Sequence, residues 1–189
     1  MPYNSSEIYK NWIPVWHGTK FRFLESIIKN GLKPSGTKLS DGTTINPLPC
    51  HIPLNESFSG VKNWAKAIFV SPSVFYSSDA AYAERINSNS DVNSERWAVL
   101  VEARVRPNSY TMHNSTIWRA KNIEGEPVNV EYRVESKEDD DLIFRVESEK
   151  NIFVTSISFV LLKFLENVYD YCEGNVVINS KEERMLLEF

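Results

Sequence analysis

Apolar residues fall in short, separated runs along the chain, and the spacing changes from one run to the next. Ile13 to Trp16 is a brief apolar stretch that predicts a strand. Phe21, Leu24, Ile27 and Ile28 then recur at i, i+3, i+6 and i+7, which predicts one face of a helix. Asn30-Gly31 ends it, with Gly31 in the left-handed position after the last turn and Pro34 close behind. From Ser35 to Gly60 the periodicity gives way to Gly, Pro, Ser, Thr and Asn, a long loop of the kind that often carries function. "AIFVS", Ala67 to Ser71, predicts a buried strand. Ser77, Ser78 and Asp79 offer N-caps for a helix through "AAYAERI". Asn87 to Glu95 is a polar loop. "WAVLVEARV" follows, with Trp97, Val99, Val101 and Val105 on one strand face and Glu102 and Arg104 on the other. "VNVEYRV", "LIFRV" and "NIFVTSISFV" predict three more strands, and Glu135 to Asp141 is an acidic turn between the first two. The echo between "YRVES" and "FRVES" does not extend to a repeat. From about Glu166 a short helix and a polar tail close the chain. The pattern is that of a strand-rich α+β domain over residues 1–165, with residues 166–189 as a C-terminal appendage.

Composition narrows the class. With 189 residues, 42% of them hydrophobic and 12% aromatic, the chain is long and apolar enough for one real core. Its net charge of -4 speaks against electrostatic capture of nucleic acid, although a local basic groove remains open. Cys50 and Cys172 are far apart and form no CxxC, which argues against a disulfide scaffold or zinc module and for a reducing compartment, cytoplasmic or nuclear. The N-terminal residues carry no basic segment followed by an apolar run, so no signal peptide is expected. No apolar stretch approaches the roughly 18 residues of a membrane span. The longest, Ile152 to Leu165, is interrupted by Thr155, Ser156, Ser158 and Lys163. A monomer without membrane contacts is the expectation.

Three stretches carry candidate chemistry. The chain has three histidines, His17, His51 and His113, and the first sits where a strand hands over to a helix, followed by Gly18 and Thr19. A glycine there leaves backbone open to close approach. Backbone amide and carbonyl could hold a carboxamide, while the imidazole holds a sugar hydroxyl. "SPSVFYSSDAAY", Ser71 to Tyr82, is rich in hydroxyls and aromatic rings, and such a surface can stack on a planar, cationic ring. Taken singly, Phe75, Tyr76 and Tyr82 are ordinary packing residues. In "VNVEYRV", Val128, Val130, Tyr132 and Val134 share one strand face, so Glu131 and Arg133 share the other. That face is either solvated or aimed into a cleft.

Taken in order, "WHGT", "KAIFVSPSVFYSSDAAYAE", "WAVLVEARV" and "VNVEYRV" resemble the ADP-ribosyltransferases of the poly(ADP-ribose) polymerase-like, diphtheria-toxin-like class, and within it the eukaryotic neuralized-like branch. The resemblance runs from about Trp12 to Leu162. It implies an ADP-ribosyltransferase-like split β-sheet domain with peripheral helices. It also implies transfer of ADP-ribose from NAD to a macromolecular acceptor (a protein, ubiquitin or a nucleic-acid end) with release of nicotinamide and no metal. By the same resemblance His17 would bind the adenosine-side ribose, the Gly18 backbone the carboxamide, and Thr19 that corner. Tyr82 would stack on nicotinamide. Phe69 stands where many relatives carry a second tyrosine, and Asp79 where many carry a carboxamide-binding serine. Ser71, heading the hydroxyl-rich stretch, belongs to the same cofactor-binding set. Glu131 would be the catalytic glutamate on the 2′-OH of the nicotinamide ribose, and an alternative register puts Asp141 in that place. An RNA 2′-phosphotransferase of the same fold and an inactive module that binds ADP-ribose-like ligands or a partner stay open as other functions.

Overall fold

A computed structural model describes residues 5–46, 64–87, 95–114, 129–134 and 150–162. Helix α1 (Ser5–Asn11) leads into strand β1 (Ile13–Gly18). A 3-10 turn (Phe21–Phe23) and helix α2 (Leu24–Asn30) follow. Next come β2 (Ile68–Val70), the single-turn helix α3 (Val74–Ser77), β3 (Arg85–Asn87), β4 (Arg96–Val105), β5 (Tyr110–Asn114), β6 (Asn129–Val134) and β7 (Ile152–Leu161). The architecture is α+β with antiparallel sheets.

The first sheet is built around β4. Strand β7 pairs with it from Trp97 to Val105 along one edge. The other edge is shared in tandem: β1 takes Leu100–Val105 and β3 takes Arg96–Ala98. At the junction the Thr19 amide donates to the Val99 carbonyl, and the Val99 and Glu84 amides donate to the Glu84 and Thr19 carbonyls, so no buried donor is lost there. The second sheet has the order β2-β6-β5. Among the described residues the two sheets meet at one backbone bridge, where the Trp16 and Ser71 amides donate to each other's carbonyls at 2.7 and 2.9 Å.

The main core lies between the sheets and draws Val15, Val99, Val101 and Val105 from one and Ile68, Val70 and Val134 from the other. A second cluster, including Trp16, Phe75, Ala98 and Leu100, covers the outer face of the first sheet. Central β4 is therefore buried on both sides, beyond the one apolar face its alternation predicts.

Other expectations are modified. Gly31 does end α2, with φ 73°. However, of the predicted helical face only Leu24 is buried and Ile27 packs on the core, whereas Phe21 and Ile28 are exposed. The helix expected through Ala80 to Ile86 does not form. The helix that does form is α3, capped by Ser73, whose Oγ accepts from the Tyr76 amide, and it ends at Ser77. Residues 79–83 form a tight turn, and Arg85–Asn87 is drawn out as β3 because β4 offers ladder partners that a free helix would forgo. Within the long loop, residues 35–46 fold back on themselves through a Lys38–Thr44 bridge around Gly42. "LIFRV", the acidic turn with Asp141, and the C-terminal appendage lie outside the described residues.

Candidate functional site

A cleft of about 520 Å³ opens where the two sheets meet. Its wall includes His17, Gly18, Thr19, Phe69, Ser71, Tyr82 and Glu131, which the sequence spreads over more than a hundred positions. The folded loop at residues 35–46 and the end of α2 supply much of the rest. The size and the mix of rings with few polar groups suit a small organic ligand.

His17 lies on the same side of β1 as Val15, facing the second sheet. Its Nδ1 is 2.8 Å from the Phe69 carbonyl. A carbonyl only accepts, so Nδ1 carries the proton and the ring orientation is fixed. Thr19 is buried, with its backbone locked at the β1/β3 junction. Ser71 is also buried. Its Oγ accepts from the Ser73 amide, and its backbone makes the bridge between the sheets.

Gly18 acts differently from the expectation of an open backbone. A Cβ there would clash with the Ser77 carbonyl oxygen and lie 2.7 Å from the Tyr82 Cβ. The missing side chain thus lets the 77–83 turn close onto the end of β1, and this sets Tyr82 at the cleft. Ser77 Oγ reinforces the contact by donating to the Trp16 carbonyl at 3.1 Å. Asp79 is not part of the cleft wall. Its carboxylate accepts from the Ala81 amide at 2.8 Å, and its carbonyl accepts from the Tyr82 and Ala83 amides. It shapes the turn that presents Tyr82.

Glu131 is buried, at 3% exposure, so its strand face is not solvated. The Tyr76 hydroxyl donates to Glu131 Oε2 at 2.8 Å, and the Tyr82 hydroxyl lies 2.6 Å from that of Tyr76 and 3.4 Å from Oε2. Each hydroxyl has one proton. With the Tyr76 proton given to Glu131, the 2.6 Å contact requires Tyr82 to donate to Tyr76, so a relay runs Tyr82 to Tyr76 to Glu131. The two rings meet at 5.1 Å and 53°. The β5–β6 register slips beside Glu131, between the His113 and Asn114 pairings, a bulge of the kind that re-aims a side chain.

Beyond Glu131 on the same face, the Arg133 Nε donates to the Trp64 carbonyl at 3.0 Å, and its guanidinium lies 5.3 Å from the Trp64 ring centre. Burial pulls the Arg133 guanidinium down to about 10. It stays protonated at neutral pH. Trp64 meets Phe69 at 5.4 Å and the edge of His113 at 4.5 Å. Among the described residues no three His, Cys, Asp or Glu side chains converge as a metal site would need.

Trp64 has no role in the sequence reading, and Tyr76 appears there only among the packing aromatics. Tyr76 ends up in α3 and Tyr82 in the turn after it, and only that turn joins their hydroxyls. Comparison with protein families, curated proteins and solved structures finds no match.

Proposed function

We propose that the chain is an NAD-dependent mono-ADP-ribosyltransferase that passes ADP-ribose to a macromolecular acceptor. The observation that carries this reading is the buried Glu131 carboxylate, held by the Tyr76–Tyr82 hydroxyl relay in the cleft that His17 also lines. Two antiparallel sheets parting beside the Trp16–Ser71 bridge agree with the split-sheet domain of the resembling transferases.

In this reading Tyr82 and Phe69 flank the nicotinamide ring, and His17, with Nδ1 committed to Phe69, turns Nε2 to a ribose hydroxyl. Glu131 accepts the 2′-OH of the nicotinamide ribose. The C1′–N bond breaks with its electron pair leaving on nicotinamide. C1′ gains oxocarbenium character, which the carboxylate stabilises more in the transition state than in the ground state. The lone pair of the acceptor then forms the new bond to C1′, and the acceptor loses its proton. The phosphotransferase alternative has less support, because Lys20 and Lys33 are the only cationic side chains among the described residues of the cleft wall.

The test is incubation with labelled NAD and candidate acceptors, followed by nicotinamide quantification and mass spectrometry. Glu131→Gln should bind NAD about as tightly as the wild type and turn it over at least about a hundredfold more slowly. A wild type that binds NAD and never releases nicotinamide would make the protein a binding module.

A further inference from the structure

The face that carries Glu131 also carries groups that the bond-breaking step does not use. In the β5–β6 register His113 lies opposite Glu131 and Thr111 opposite Arg133. Opposed side chains of an antiparallel pair share a face, so His113 stands beside Glu131 on the cleft side of the sheet. Thr111 is exposed and His113 half-buried. Thr111 Oγ1 and His113 Nε2 are 2.8 Å apart. The ring then runs edge-on into Trp64, and Trp64 runs into Phe69 in the cleft wall. His113 and Trp64 are not themselves part of the cleft wall; they stand next to Glu131 and Phe69, which are.

We propose that this rim is the acceptor site, and that His113 is the base that takes the proton from an attacking hydroxyl side chain of a polypeptide. The inference rests on the transferase reading of the cleft. In the step, the hydroxyl oxygen bonds to C1′ through its lone pair and its proton passes to His113 Nδ1. The C1′–N electron pair leaves on nicotinamide. Thr111 positions the base: when Nε2–H donates to Thr111 Oγ1, Nδ1 keeps the lone pair.

The chemistry of the rim selects the acceptor class. A carboxylate acceptor is already ionised and needs no base. A guanidinium or ammonium has no free lone pair until it gives a proton to a base far stronger than this imidazole. The net charge of -4 disfavours a polyanion. A neutral hydroxyl on a peptide meets none of these objections. The charged groups that face His113 are Arg133 and Glu131, both on β6, while Trp64 and Phe69 bring rings and Thr111 a hydroxyl. Burial first, and Arg133 second, hold the His113 imidazole below its ordinary value, so it is neutral and ready to accept at neutral pH.

The experiment supplies the full chain with labelled NAD and two synthetic peptide pools. One pool has serine as its only nucleophile, the other only aspartate and glutamate. The wild type should modify the serine pool. In His113→Ala the share of cleaved NAD that ends on serine rather than water should fall about a hundredfold. The acidic limb of the transfer–pH profile should vanish, and added imidazole should restore part of the transfer. Thr111→Val should lower the same share several-fold. The proposal is overturned if His113→Ala partitions NAD as the wild type does, or if cleavage and transfer fall in parallel without imidazole rescue. Modification of the acidic pool in preference to serine also overturns it. A wild type that releases no nicotinamide with any acceptor removes the transferase reading itself, and that result is distinct from normal cleavage with unaltered partition.

Discussion

Tyr76 turns a glutamate on a strand into an oriented carboxylate, because it gives its only proton to Glu131 and takes one from Tyr82. Tyr76→Phe keeps the ring and removes the relay. It should lower nicotinamide release by about tenfold to a hundredfold, in line with roughly 1–3 kcal/mol for a hydrogen bond to a buried acceptor. NAD affinity, read by calorimetry, should change much less. Tyr82→Ala should do the reverse and weaken NAD binding by roughly 1–3 kcal/mol through lost stacking and buried area. Equal effects of the two variants on affinity would contradict this division. Gly18 acts at a distance from the ligand. A methyl group there pushes on the Ser77 carbonyl and the Tyr82 Cβ, so Gly18→Ala should cost about 1–3 kcal/mol in denaturant unfolding and also displace Tyr82.

At the level of elements, β6 joins structure to chemistry. One of its faces feeds Val130, Tyr132 and Val134 inward, and the other holds Glu131 and Arg133, all but Tyr132 fully buried. Arg133 is a fixed positive neighbour of β5. Arg133→Met should therefore raise the His113 titration point toward 6.5, measured by NMR, because one of the two causes of its depression is gone. The same variant leaves the Trp64 carbonyl without its Nε donor and should lower the unfolding midpoint. Strands β1, β2, β4, β6 and β7 are legible in the sequence, β1 and β2 as short apolar runs, β4 and β6 by their alternation and β7 by its apolar-rich length. The α3–β3 region is not, since Ser73 caps earlier than the Ser77–Asp79 cluster suggests, and Arg85–Asn87 becomes a strand only by pairing with β4. Strand β5 has no apolar run and owes its form to β6. The same limit applies to the site. His17, Tyr82 and Glu131 stand out in the sequence only once the ordered segments are set beside the resembling transferases. Tyr76, Trp64 and His113 gain meaning only from neighbours far away in the chain.

For the molecule as a whole, two titrations act on stability from opposite sides of neutral pH. His113 has a lowered folded value, so the native state binds fewer protons there than the unfolded chain. That contribution is complete above the unfolded value of 6.5 and is lost as pH falls through the lowered folded value. Tyr132 is raised, first by burial and then by Tyr110, which stacks on it at 4.4 Å, so its contribution is complete below 10 and is lost as pH climbs through the higher folded value. Stability to unfolding measured against pH should weaken on the acidic side, and His113→Gln should flatten that decline; on the alkaline side the lowered Arg133 value works against Tyr132. The join between the two sheets has a consequence of another kind. Its backbone part consists of two reciprocal amide-to-carbonyl bonds, beside the His17-to-Phe69 contact, and both amides belong to residues of the cleft wall. Breathing of one sheet away from the other would release the Trp16 and Ser71 amide protons together, ahead of the long β4–β7 ladder. Deuterium uptake at those two positions would then serve as a clock for cleft opening, and a bound ligand spanning both sheets should slow it.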